Sequence, residues 1–179
     1  MVSSSDNGVV NVVLAGLGGQ GVVKASNILS DAVFFSGLDV KKSEIHGMSQ
    51  RGGSVSSDVR FGEKVYSPMV PRGEADFLVI LEETQVEPNI HKLRPGGVLI
   101  TPEHAPHLTE DDGSAEAVLR RRMLNVALLG ALSAHLPRVT AGQWLRAVRT
   151  NVPARFAEEN ARVFLTAHAM ELILAGRIV

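Results

Sequence analysis

Apolar and polar positions along this chain alternate between two periods, and the order of those periods is itself informative. Val9 to Leu14 is a short, mostly β-branched run with the character of a buried strand. Val22, Val23, Ala25, Ile28, Leu29, Ala32, Val33 and Phe35 then recur at helical spacing on one broad face, ending before Ser36-Gly37. Leu38 to Lys42 reads as a second strand, so the opening predicts a β-α-β unit with a parallel pair and a right-handed crossover. From Ser54 the period is two. Val55, Val59 and Phe61 take one face, and Ser54, Ser56, Asp58 and Arg60 the other, wet face. Gly62-Glu63 is expected to turn this strand into Lys64-Val65-Tyr66 as an antiparallel hairpin. Asp76 to Leu81 and Val98 to Ile100 read as buried strands with a helical segment between Thr84 and Leu93, and Thr101 to Gly113 reads as loop.

The remainder is helical. A long helix is predicted over about 117–136, with Leu119, Met123, Val126, Leu129, Leu132 and Leu136 on one face. Gly130, Ala131 and Ala134 permit another element to approach closely, and Pro137 stops the helix. Thr140 is a candidate cap for a helix through Trp144 to Val148, and a last helix is expected over about 154–174. The fold class is therefore α/β: a Rossmann-like, mostly parallel sheet flanked by helices, with an appended antiparallel hairpin and a helical C-terminal part. Residues 1–8 are expected to form a flexible tail and 9–179 a single domain, for which 179 residues is an ordinary length.

Composition narrows the function. With 45% hydrophobic and 21% charged residues and no apolar run near the ~18 residues of a span, a soluble, cytoplasmic protein without membrane attachment is expected. The N-terminus lacks the features of a secretory signal. Lys plus Arg number 18 against 19 Asp plus Glu, so the near-zero net charge gives no general attraction to nucleic acid, and Arg120-Arg121-Arg122 reads as a solvated helix face. The absence of cysteine removes disulfides, thiol nucleophiles and thiolate-held clusters.

Candidate chemistry concentrates in two glycine-rich stretches. Gly16, Gly18 and Gly21 match the G-x-G-x-x-G pattern between strand and helix, where bare backbone amides and a helix N-terminus receive an anion. The ribose-binding acid of a dinucleotide site should follow about 20 residues on, and Glu44 is only an approximate candidate. Nicotinamide binding, a structural turn, another phosphate-bearing ligand and a site completed by a partner chain are all compatible with this pattern. The second stretch, Ser43 to Gly53, gathers Glu44, His46, Ser49, Gln50 and Arg51 before Gly52-Gly53, where the Arg51 guanidinium is placed to fork onto a phosphate or carboxylate. No catalytic group and no metal site is expected. His104-x-x-His107 lies among prolines, His91, His135 and His168 have no ligand-like spacing, and Glu82-Glu83 and Asp111-Asp112 read as solvated.

Both stretches together resemble the gamma subunit or gamma domain of the 2-oxoacid:ferredoxin oxidoreductases. The resemblance is carried by Gly16 to Ser26, Lys42 to Val55, Phe61 to Pro68 and Gly73 to Asp76, and more weakly by Asn125 to Gly130 and the terminal helix. Glu44 to Gly53, Glu-Ile-His-Gly-Met-Ser-Gln-Arg-Gly-Gly, looks most like the indolepyruvate branch. The resemblance implies an accessory subunit, inactive alone, of an enzyme that decarboxylates a 2-oxoacid oxidatively with coenzyme A to an acyl-CoA, carbon dioxide and reduced ferredoxin. It implies thiamine diphosphate and iron–sulfur clusters in thiamine-binding and ferredoxin-like partner subunits of a heteromeric complex, with ferredoxin as the acceptor; apolar helix faces and the hairpin suit a homodimer, a heteromeric interface or both. Gly18, Gly19, Gln20 and Gly21, and Arg51, Gly52 and Gly53, are then expected as two lips of a coenzyme A contact. The alternatives are a stand-alone nucleotide- or CoA-binding regulatory module and an independent nicotinamide-dependent dehydrogenase.

Overall fold

The computed structural model describes residues 8–46, 52–110 and 113–177; Gly8 is the one residue of the expected tail among them. Five strands form one sheet: β1 (Val10–Leu17), β2 (Asp39–His46), β3 (Ser54–Gly62), β4 (Ala75–Ile80) and β5 (Leu93–Ile100), in the order β2-β3-β1-β4-β5. β1 is parallel to β4 and β4 to β5, whereas β3 is antiparallel to both β1 and β2. The sheet is thus mixed rather than mostly parallel. β1 and β2 run the same way, as a β-α-β unit requires, but β3 is inserted between them. The antiparallel partners of β3 are β1 and β2, and Lys64 to Tyr66 forms no strand. That segment is fixed instead by Val65, whose buried side chain and N–H donation to Asp39 Oδ2 at 2.8 Å hold it across the sheet end.

Helices explain why the sheet is so apolar on one side. α1 (Val22–Phe35) has the boundaries expected from its periodicity, and it buries Val22, Ala25, Ile28, Leu29, Ala32 and Val33. Its core is shared with Val12 and Leu14 of β1, Val59 and Phe61 of β3, and Phe77 and Val79 of β4. The opposite sheet face carries a smaller cluster of Val13, Ala15, Ala75, Leu78 and Ile80. It is covered by Val70 and by Val86 of α2 (Val86–Asn89), a short helix between two 3₁₀ turns. Beside it lies a polar network. Arg60 Nε donates to Asn11 Oδ1 at 2.8 Å, the Asn11 backbone amide donates to Asp76 Oδ2 at 2.7 Å, and Arg94 pairs with Asp76 at 2.8 Å.

The expected wet face of β3 is covered as well. Ser56 and Asp58 are buried, and Asp58 Oδ2 accepts the Val70 N–H at 3.0 Å. Burial pushes the Asp58 carboxyl up, opposed by that hydrogen bond and by Lys92 and Arg60. A period-two pattern records which residues alternate, not whether a later loop closes over the polar set.

The long helix expected over 117–136 is two helices, α3 (Ala115–Arg121) and α4 (Leu124–Ser133), separated at Arg122-Met123. All ten residues of α4 are buried. It lies between the sheet and α6 (Ala157–Leu174), so its apolar surface runs all round rather than along one face. α5 (Ala141–Asn151) begins at Thr140, whose side chain forms a reciprocal capping box with Gln143. Gly130 is the closest-approach residue of α4: a Cβ there would lie 2.3 Å from the Phe164 carbonyl oxygen of α6. No helix among the described residues is long and apolar enough to cross a membrane.

One α4–α6 tie titrates. Ser133 Oγ donates to the Gly130 carbonyl at 2.6 Å and lies 2.7 Å from His168 Nδ1, while the imidazole stacks on Phe164. Burial holds the His168 pKa below the usual 6.5. The unfolded chain therefore takes up this proton at a higher pH than the folded chain. Stability is lost as pH falls through 6.5 toward the folded value. The urea midpoint of the wild-type chain is expected to drop more between about pH 7.5 and about pH 5.5 than that of His168→Gln, which keeps a polar group without a titrating proton. Equal drops would contradict the assignment.

Candidate functional site: a cleft at the N-terminus of α1

β1 ends at Leu17 and α1 begins at Val22, so the four residues between them must reverse the chain at the C-terminal edge of the sheet. Glycine is required at specific points of that turn. A Cβ on Gly16 would come within 2.9 Å of both Gln20 Oε1 and Val22 Cγ2. Gly21, the cap residue of α1, has φ +85° and would place a Cβ 2.4 Å from Asn125 Nδ2. Gly19, at φ +96°, faces open space. No side chain caps α1 and no acidic residue stands in its first turn. Its leading N–H groups and the positive end of its dipole therefore keep their capacity for an anion.

The second stretch meets the first directly. β3 pairs with β1 up to Ser54 opposite Leu17, which leaves Gly53 beside the turn, and the Gly18 N–H donates to the Gly53 carbonyl at 2.9 Å. A Cβ on Gly18 would lie 3.5 Å from the Gly52 nitrogen, so the two backbones are in contact. Gly52 is exposed at φ +69°. His46 closes β2 opposite Val55. Its side chain, and Gln50 and Arg51 entirely, lie outside the described residues.

Two expected ligand contacts have other occupations. Gln20 turns inward: Oε1 accepts the Leu17 N–H at 2.8 Å, and Nε2 donates to Glu82 Oε2 at 2.7 Å. It braces the turn, and Glu82 belongs to this network rather than to a solvated pair. Glu44 is held by Lys42, 2.7 Å away, and Lys42 also donates to Asn27 of α1. That neutralised carboxylate is committed to the sheet–helix contact, which weakens the dinucleotide reading that needed it for a ribose.

Sequence reasoning missed the opposite wall. A cleft of about 610 Å³ opens at the turn, lined there by Gly19, Gln20, Gly21 and Lys24 and across from them by Thr109, Glu110, Arg121, Arg122 and Asn125. Three cations against one carboxylate on this lining favour an anionic guest. Arg121 and Arg122 come from the basic cluster read as a solvated face, and a run of charge in sequence carries no sign of what it will oppose. Asn125 had a faint signal in the resemblance at Asn125 to Gly130. Here it is buried, with Nδ2 3.3 Å from the Gly21 carbonyl oxygen and Oδ1 accepting the Val126 N–H at 2.9 Å. A second cavity of about 530 Å³, containing Leu119, Met123, Val152 and Phe156, shares Lys24, Arg122 and Asn125 with the first.

His104 and His135 are engaged in internal contacts. His104 Nδ1 lies 3.2 Å from the Thr101 nitrogen and from the Thr101 carbonyl oxygen at the start of its own 3₁₀ turn, and His135 Nε2 is 2.8 Å from Glu171 Oε1. Among the described residues no three His, Asp or Glu groups gather where one metal ion would be held.

An open α/β sheet with an uncapped glycine turn at its C-terminal edge places the fold in the Rossmann-like class. Within that class the chain belongs to the pyruvate ferredoxin/flavodoxin oxidoreductase family, whose model matches residues 11–170. It is 32% identical over 185 residues to the indolepyruvate oxidoreductase subunit IorB of Methanothermobacter thermautotrophicus, an alignment covering 86% of this chain and 93% of that one. The IorB subunit of Thermococcus kodakarensis is 46% identical over 91 residues, covering 51% of this chain and 45% of that protein; the match thus spans under half the relative's length. The fold matches the gamma subunit of a keto/oxoacid ferredoxin oxidoreductase from Geobacter sulfurreducens with a TM-score of 0.75, covering 93% of this chain and 98% of that one at 23% identity.

The turn yields a direct test of its packing. Gly21→Ala combines a left-handed backbone with a clash on Asn125, and is expected to cost about 2–3 kcal/mol in urea unfolding. Asn125→Ala removes the clashing amide, so the double variant should be more stable than the sum of the two single losses by about 1 kcal/mol or more. Simple additivity would refute the contact.

Proposed function

We propose that this chain is an accessory subunit of a multisubunit 2-oxoacid:ferredoxin oxidoreductase, of the indolepyruvate type, and that its cleft forms part of the coenzyme A side of the active site. The family membership and the likeness to indolepyruvate oxidoreductase subunits support the assembly. The single observation that carries the coenzyme A role is the junction of the two glycine lips, Gly18 N–H to Gly53 C=O, at an uncapped helix N-terminus that holds Lys24 and faces Arg121 and Arg122. Coenzyme A carries a pyrophosphate and a 3′-phosphate on one end and a long neutral arm on the other. Backbone amides and fixed cations suit the first end, and an open cleft mouth lets the arm leave toward a partner's reaction centre.

The chemistry itself falls to partners in this reading. The family likeness supports assigning the thiamine diphosphate and iron–sulfur centres of this reading to companion subunits, from which electrons pass to ferredoxin, and the lack of a cysteine to hold a cluster here fits that division. Arg51, outside the described residues, is proposed to reach the phosphate groups from the second lip. The complete reaction is then oxidative decarboxylation of a 2-oxoacid with coenzyme A to an acyl-CoA and carbon dioxide, in the cytoplasm.

Anaerobic affinity isolation of the tagged chain from its native cells tests the assembly. Thiamine diphosphate, iron and 2-oxoacid-dependent dye reduction are expected in the eluate, with aryl pyruvates oxidised fastest among the 2-oxoacids. In the assembled enzyme Arg51→Ala is expected to raise the apparent KM for coenzyme A about tenfold while the KM for the 2-oxoacid stays unchanged. A chain isolated alone and inactive, yet retaining CoA affinity, would instead establish a stand-alone binding module.

A further inference from the structure

α3 is thinly packed. It is two turns long, and its only buried residue is Ala117. Its main packing partner is the single 3₁₀ turn Pro106–Leu108. Cavities lie on both of its sides: Val118 and Arg121 line the 610 Å³ cleft, and Leu119 lines the 530 Å³ one. Val118 and Leu119 remain 57% and 52% exposed. Adjacent apolar side chains on a short helix, each over a separate cavity, are ordinarily buried by whatever fills the space beneath them. The helix is bounded by a change of backbone direction at each end. Gly113 precedes the helix at φ +73°, and the non-helical Arg122-Met123 break separates it from the buried α4.

The tie between α3 and the glycine turn is weak and interchangeable. Glu82 Oε2 receives Gln20 Nε2 at 2.7 Å and stands 4.0 Å from Arg121 Nη2, whose side chain is 56% exposed. Gln20 in turn holds the Leu17 amide. Glu82 is therefore the common acceptor of the turn and of α3. A pair this long and exposed holds little energy. A phosphate at the α1 N-terminus offers Arg121 a doubly charged acceptor in bidentate geometry, and the guanidinium would exchange Glu82 for it.

From this arrangement we infer that α3 is a lid over the cleft, latched in the ligand-free chain by Arg121 on Glu82 and drawn down when Arg121 transfers to the phosphate of the bound molecule. Closure brings Val118 onto the neutral arm of the ligand, so phosphate recognition and exclusion of water from the arm become one event. The inference rests on the coenzyme A reading of the same cleft. It adds that the chain responds to its ligand instead of presenting a rigid surface.

The absence of native cysteine makes the test clean. Val118→Cys carries an environment-sensitive fluorophore on the lid in the full chain, and Thr166→Cys carries it on the exposed face of α6 as a control. Coenzyme A binding is measured in parallel by equilibrium dialysis. A saturable blue shift at position 118, with none at 166 and the same half-saturation as dialysis, is expected. Arg121→Ala in the Val118→Cys background should abolish the shift while weakening binding about tenfold, and Arg121→Lys should restore part of both. Coenzyme A that binds without moving the 118 signal, or a shift that survives Arg121→Ala, would overturn the lid and leave the coenzyme A reading standing. If dialysis detects no binding to the chain alone or in the assembled enzyme, the coenzyme A reading falls and the lid with it.

Discussion

The insertion of β3 between β1 and β2 decides where everything functional lies. A plain β-α-β unit would set β2 against β1, and the segment following β2 would leave from a position next to the glycine turn only by chance. With β3 in that place, the chain must leave the sheet edge after His46 and return at Ser54 opposite Leu17. Gly53 is thereby delivered to the β1–α1 turn and fastened there by the Gly18–Gly53 hydrogen bond. Two glycine-rich segments about thirty residues apart in sequence become one surface because of strand order, not because of any local preference.

This also accounts for what could be read in advance. α1 was legible to the residue because a single amphipathic period and a glycine turn define both its ends. β4 and the Thr140 cap were legible for similar local reasons. Strand pairing was not: Val55, Val59 and Phe61 show that one face of β3 is buried, but alternation is silent on which neighbours supply the hydrogen bonds. The α3–α4 break was hidden because no proline or glycine marks it. Arg120 to Met123 has respectable helix propensity, and the break follows from burying all of α4 while α3 stays over the cleft. Among the candidate site residues, the glycines stand together at one edge, whereas Gln20 and Glu44 are spent on internal contacts whose partners, Glu82 and Lys42, alternation and spacing could not assign.

The physical character of the cleft follows from a division of labour between its walls. The turn side is rigid, built from a buried strand, a closely packed helix and the Asn125 amide beneath Gly21, and it supplies backbone donors whose directions are fixed. The opposite side is supplied by α3 and the turns before it, where packing is thin and the cations are on long side chains. Preorganised donors facing adaptable cations suit a ligand that must be gripped at its charged end and released with each turnover.

Hydrogen exchange across the turn reports whether it receives the phosphates of coenzyme A. In the assembled enzyme, saturating coenzyme A is expected to slow exchange in peptides spanning Gly16 to Lys24 and Gly52-Gly53, with the slowing lost when dephosphorylated pantetheine replaces coenzyme A. Protection confined to other surfaces of the chain, or equal protection by pantetheine, would contradict the account of this turn as the phosphate-binding edge.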